Sequence, residues 1–140
     1  MKNNLLSTRN FNNDLALLIF RITLGGLMLL LHGIPKIDRM SQAPVKFMDF
    51  MGLGPEVSLG LVLFAEVLCS VLIITGTATR LALIPLIITM LVAIFQANAG
   101  KPLKDIELPV IYLAGFIALF ISGSGKYSVD SLISKNSSRS

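Results

Sequence analysis

Four apolar runs, each close to the length that crosses a hydrocarbon layer, alternate with short polar connections along this chain. The first covers residues 15–33, where Gly33, Ile34, Pro35 and Lys36 read as its close, a helix breaker followed by a positive charge at headgroup level. The second covers 57–76 and the third 81–99, and the tight turn from Thr77 to Arg80 between them makes the pair an antiparallel hairpin. The fourth covers 106–124, with a shorter strictly apolar part from Leu108 to Ser122. Between the first two runs, Ala43, Phe47, Phe50 and Met51 recur at helical spacing, Pro44 suits a first helical turn, and Gly52 to Pro55 would end it. This predicts a short helix lying in the membrane interface, with an ordered loop carrying apolar anchors as the alternative. Residues 1–14 and 125–140 are read as tails, and beyond Tyr127 the Ser- and Lys-rich chain is expected to fray into water. The expected fold is therefore all-α: an integral membrane four-helix bundle.

The few polar residues inside the runs fall at helical spacings. Asp14, Arg21, Gly25, Met28 and His32 share one face of the first run, and Leu59, Val62, Glu66, Ser70 and Ile73 one face of the second. In the third, Ala82, Pro85, Thr89, Ala93, Gln96 and Gly100 align, and in the fourth Glu107, Ile111, Ala114, Ala118 and Ser122 do. Small residues let helices approach and lipid solvates polar groups poorly, so the four seams are expected to face one another around a polar interior. A charge at helix centre costs about 2.5–3.5 kcal/mol on insertion scales, which calls for a partner. Antiparallel depth arithmetic puts Arg21 and Glu66 within reach, so their ion pair is the sharpest expectation, either as a structural register pin or as part of a ligand pocket with His32 and Glu107. The simpler readings are an interfacial His32, interhelical hydrogen bonds from Gln96 and Thr89, and snorkelling anchors in Lys36 and Arg80.

Composition strengthens the membrane reading: 54% of the 140 residues are hydrophobic, 14% are charged, and the mean hydropathy is +0.77. No water-facing surface can be built from that material. The net charge of +4 does not point to nucleic acid, because the basic residues are scattered near helix ends, where anionic headgroups explain them. Lys2 and Arg9 precede the first run as in a signal peptide, but that run holds Arg21 and lacks a small-residue cleavage site, so it reads as a retained span. Lys2, Arg9, Arg80, Lys126, Lys135 and Arg139 fall on one side of the membrane, against Lys36, Arg39, Lys46, Lys101 and Lys104 on the other. This six-to-five balance, with Asp38, Asp49, Glu56, Asp105 and Glu107 on the second side, favours cytoplasmic termini. One histidine and one cysteine, Cys69, cannot supply a bis-histidine haem site, an iron–sulfur cluster or a usual zinc site, so no haem or metal is expected. Phosphate-binding loops, dinucleotide fingerprints and nucleophile triads are also missing from the sequence.

The Arg21 run ending in His32, Gly33, Ile34, Pro35, Lys36, then Phe47 through Gly54, then Ala65 and Glu66, then Gly76 to Arg80, and last Gly123 to Asp130, occur in an order that resembles the DoxX family of small four-helix bacterial membrane proteins. The resemblance extends over roughly Leu15 to Asp130. It implies a multi-pass protein of the bacterial cytoplasmic membrane, related to a quinone-reducing thiosulfate enzyme and to proteins linked to quinone or thiol stress, with members serving as subunits of membrane redox assemblies. The family positions of interest carry over to Arg21, His32, Lys36, Glu66 and Arg80. Ser122 to Gly125 reads Ser-Gly-Ser-Gly where the family more often has Gly-Pro-Gly, a departure at a helix end.

Two functions are open at this level. One is a redox-associated subunit that binds a quinone-like lipophilic molecule in the bundle, with Glu66 and His32 as candidate catalytic groups and Arg21, His32, Lys36, Glu66, Arg80, Gln96 and Glu107 as candidate binding residues, electrons coming from a partner subunit. The other is a non-enzymatic scaffold or assembly factor for a membrane partner, and either is compatible with an oligomer. Transport is disfavoured by the small size and by the lack of a paired inverted repeat.

Overall fold

The computed structural model describes residues 12–137; most of the N-terminal tail expected at 1–14, and residues 138–140 at the other end, lie outside the described residues. Among the described residues, four helices are long and apolar enough to cross a membrane: α1 (Asn13–Met40), α2 (Pro55–Thr75), α3 (Thr79–Ala97) and α4 (Leu103–Ser122). A short fifth, α5 (Val129–Ser137), follows. The local signals at their ends are conventional. Asn12 caps α1, its side chain accepting the Leu15 N–H at 3.2 Å. Pro55 opens α2, and Gly76, in the left-handed region at φ 74°, closes it while the Thr77 N–H returns to the Leu72 carbonyl at 2.9 Å. Helices adjacent in the chain pack on one another and α1 closes against α4, giving an up-down-up-down bundle whose outer wall is Leu, Ile, Val and Phe.

Three of the four spans contain a widened, π-type segment: Met28–Gly33 in α1, Phe64–Cys69 in α2 and Ala93–Ala97 in α3. The first of these corrects the expectation that Gly33 to Pro35 ends the first span. The helix runs on to Met40, because the wider turn, closed by a bond from the Ile34 N–H to the Leu29 carbonyl, makes room for a proline ring that a regular α-turn would reject.

The expected interfacial helix does not form, and residues 41–54 make the ordered loop instead. Besides a turn bond from the Leu53 N–H to the Phe50 carbonyl at 3.1 Å, it is held by side chains. The Ser58 hydroxyl accepts the Phe50 N–H at 2.8 Å, the Asp49 carboxylate accepts the Gly54 N–H at 2.9 Å, and Met51, Gly52 and Gly54 all have positive φ. The chain beyond Tyr127 also departs from its expected fraying, since α5 is formed and Asp130 is tied to the α2–α3 turn.

The interior is drier than the four polar seams suggest. Leu24, Met28, Cys69, Ile73, Leu83 and Leu86 form one apolar core with Phe116 and Leu119. In α1 and α2 the seam positions do face inward: Arg21, Gly25 and Met28 are buried, as are Leu59, Glu66, Ser70 and Ile73. The α4 seam is wrong by one residue. Glu107, Ile111, Ala114 and Ala118 face outward, while Tyr112, Gly115, Phe116 and Leu119 are buried. Ring burial, rather than small-residue contact, orients that helix, with Gly115 alone admitting the Leu24 side chain. In α3, Ala82 of the predicted row is buried as expected, but Leu83, Leu86 and Met90 are buried with it while Pro85, Thr89 and Ala93 are half-buried.

At Gly33 the backbones of α1 and α2 come close: a Cβ there would lie 2.8 Å from the Glu66 carbonyl oxygen and 2.9 Å from a Val67 methyl. Gly33→Ala is therefore expected to force the helices apart at a cost of about 1–3 kcal/mol. Gly26→Ala, with open space at its Cβ, serves as the control. Thermal melting of the detergent-solubilised variants checks this, the first melting lower than wild type and the second not.

Candidate functional site

Polar groups gather at the two ends of the bundle. At the end that carries the described termini, Arg21 is only 1% exposed, and each of its three guanidinium nitrogens donates to a backbone carbonyl. Nε donates to Ile74 at 3.3 Å, Nη2 to Tyr127 at 2.7 Å, and Nη1 to Ser124. Gly76 must lack a side chain here, because a Cβ would meet Arg21 Nη1 at 2.7 Å and the Ser128 Cβ at 2.5 Å. The strap that Arg21 holds, residues 123–130, then closes the α2–α3 turn. Asp130 accepts the Ala78 N–H at 2.7 Å, the Thr79 N–H at 3.0 Å and the Thr79 hydroxyl at 2.8 Å, and its own N–H reaches the Gly76 carbonyl at 2.9 Å. Asp130 thus caps α3 from a distant part of the chain. Burial pushes its carboxyl up, but the Thr79 and Ala78 donors and the Arg21 charge outweigh that and hold it below the ordinary carboxylate range. Asp14 accepts the Lys126 N–H at 2.9 Å, and Arg80 donates to the Phe120 and Ile121 carbonyls at the C-terminal end of α4.

The expected Arg21–Glu66 pair is therefore absent. Arg21 is level with Ile74, eight residues along α2 from Glu66, or roughly 12 Å at ~1.5 Å per residue. The depth arithmetic failed because α1 runs to Met40, which places Lys36 rather than Arg21 beside the carboxylate. Lys36 Nζ lies 2.5 Å from Glu66 Oε2, with the two side chains 20% and 4% exposed. Glu66 and His32 sit on the π segments of α2 and α1, which pack together. The imidazole meets Tyr112 edge-on, with centroids 5.4 Å apart at 86°, and lies within range of the Glu66 and Lys36 charges.

Beside this pair is a cavity of about 730 Å³ between the end of α1, the 41–54 loop, α2 and α3. Lys36, Arg39, Lys46 and Glu66 are its charged lining groups. Phe47, Met48 and Phe50 wall it from the loop, Val62, Phe64 and Ala65 from α2, and Pro85, Ile88, Thr89 and Val92 from α3. The loop is pinned on both sides, by Ser58 on α2 and by Gln96 on α3, whose amide donates to the Asp49 carbonyl at 3.4 Å. A family model, DoxX, matches residues 16–99, which hold α1 beyond its first three residues, all of α2 and α3, and every residue lining this cavity. The chain belongs to the DoxX family. No curated protein and no solved structure matches it.

Among the residues singled out in this DoxX chain, the fold brings Lys36, Glu66 and His32 together and leaves Gln96 as a support for the cavity's loop wall. Arg21 and Arg80 belong to the opposite end, and Glu107 is exposed at the start of α4. Sequence reasoning missed Arg39, Lys46 and the loop aromatics as one wall. The charges were counted only for orientation, and the aromatics were assigned to a helix. Thr89, expected to bond between helices, returns its hydroxyl to Pro85 at 2.8 Å within α3.

The two ends separate by experiment. Arg21→Gln is expected to destabilise the protein by about 1–3 kcal/mol for each buried carbonyl left without a donor, read as a lower melting temperature. Asp130→Asn removes a contribution with a defined sign. A depressed folded-state pKa stabilises above the ordinary carboxylate value and is lost as pH falls through the depressed one. The wild-type advantage over Asp130→Asn should accordingly shrink on acidification from neutral pH, as melting curves across pH will show.

Proposed function

We propose that this DoxX protein is the quinone-binding subunit of a membrane redox assembly in the bacterial cytoplasmic membrane, its termini in the cytoplasm. The single observation that carries the reading is an ion pair, Lys36–Glu66, at the wall of an apolar cavity open to lipophilic molecules. The cavity volume falls within the roughly 300–1,000 Å³ typical of small-molecule sites, and its walls of Phe, Met, Val and Ile suit a ring with an apolar tail.

An ammonium has three donors, and Glu66 takes one, so Lys36 Nζ has others to offer a ring carbonyl oxygen. Glu66 holds that ammonium in place from the buried side, and His32, on the π segment that packs against that of Glu66 and edge-on to Tyr112, is the imidazole nearest the pair. A bound quinone would supply the redox chemistry, taking two electrons from a partner subunit and two protons to become a quinol. The residues of this chain bind and orient it. Arg21 and Arg80 have no part in this reading, since their donors are committed to backbone carbonyls.

Purification in mild detergent, followed by absorbance and mass-spectrometric inventory, tests the reading. Wild type is expected to retain a quinone. Val62→Phe, which fills the cavity, should lose most of it while melting near wild type. Glu66→Gln should lose it too, at a stability cost of about 3 kcal/mol for breaking one side of a buried pair. A quinone-free preparation that keeps a stoichiometric protein partner would instead assign the bundle to scaffolding.

A further inference from the structure

The charges around the cavity do not balance. Lys36 and Glu66 neutralise one another at 2.5 Å. Arg39, at the end of α1, and Lys46, on the loop, line the same space, and no second carboxylate does. Asp38 and Asp49, the acidic residues nearest to Arg39 and Lys46 in sequence, are not among the lining groups, and the Asp49 carboxylate accepts the Gly54 N–H. From α3 the lining is Pro85, Ile88, Thr89, Val92, Ala93 and Ala97, none of which titrates. Lys46 is adjacent in sequence to Phe47 and Met48, which wall the cavity, so the uncompensated cations and the apolar surface converge on one volume. A neutral quinone uses the apolar surface and one ammonium and leaves two positive charges unanswered.

We infer that the site selects a quinone whose ring carries an ionised hydroxyl, its apolar tail between α2 and α3 and its negative oxygen toward Arg39 and Lys46. The inference rests on the quinone reading above and narrows its substrate class. Charge complementarity supplies the selectivity: a negative head gains attraction from two cations at the edge of a low-dielectric space, whereas a neutral head gains none. Arg39 and Lys46 are exposed, so their attraction is strongest for an occupant that is itself held in place by the walls.

The test uses the full-length protein in discs of neutral phosphatidylcholine, titrated by ligand absorbance with a long-chain alkyl naphthoquinone bearing a ring hydroxyl and with its O-methyl ether. At a pH where the hydroxyl is ionised, the hydroxy compound is expected to bind about tenfold tighter than the ether. The preference should vanish as pH falls and the hydroxyl protonates, and it should be lost in Arg39→Gln/Lys46→Gln, with melting and size exclusion showing an intact fold. Equal affinities for the two ligands in wild type would overturn this inference and leave the quinone reading standing, as would a preference that survives the double substitution. Binding of neither ligand would overturn both. Loss of the preference on adding phosphatidylglycerol to the discs would also overturn the inference, since the two cations would then belong to lipid headgroups.

Discussion

A guanidinium cannot be left bare inside a helix bundle that lipid surrounds, and at Arg21 the whole terminal end of this protein is arranged to prevent it. One side chain on α1 ties the last turn of α2 to the strap after α4, joining parts of the chain more than fifty and more than one hundred residues away. Gly76 has no side chain because the guanidinium occupies that volume. Asp130 completes the arrangement by capping α3 and by adding a negative charge that Arg21 feels. Among the described residues no carboxylate pairs with Arg21 directly, so its charge is dispersed over carbonyl dipoles. This is a low-cost way to keep a cation dry when the acceptors are already fixed at helix ends.

With that end closed by its own backbone, the other end is free to be irregular. The π segments of α1 and α2 meet there, an uncapped proline is accommodated, and the connecting loop takes its hydrogen bonds from Ser58, Asp49 and Gln96. Each π segment adds a residue to a turn and so rotates everything beyond it around the helix. That rotation replaces His32 with Gly33 as the position at the α1–α2 contact and carries Lys36 to Glu66. Ser70 Oγ, one turn from Glu66, is buried without a hydrogen-bond partner, so the polar character of this half has not been fully satisfied by the fold.

Four membrane helices in an all-α bundle were legible in the sequence because hydropathy over twenty residues depends on nothing but composition, and in lipid a helix is the one open-chain solution. The inward faces of α1 and α2 were also legible, because buried charges and glycines mark them. What could not be read was the course of α1 beyond its π segment, since face arithmetic at a constant angle has no term for an extra residue. The α4 face was misread because its alanines were favoured over its rings, and Tyr112 and Phe116 gain more from burial than Ala114 and Ala118 do. The loop at 41–54 carries helical spacing but is held by long-range partners that no local pattern announces. For the candidate site, Glu66, Lys36 and His32 were found individually as expensive polar residues. Their grouping needed the true length of α1.

The placement of the cavity has one more implication. Its charged lining, Lys36, Arg39 and Lys46, lies at the end remote from the Arg21 strap, and the hollows beside the strap, of about 430 and 500 Å³, share no lining residue with it. A ligand held there, as proposed, would sit nearer one leaflet than the other, so the direction in which the chain is threaded into the bilayer would decide which leaflet it meets.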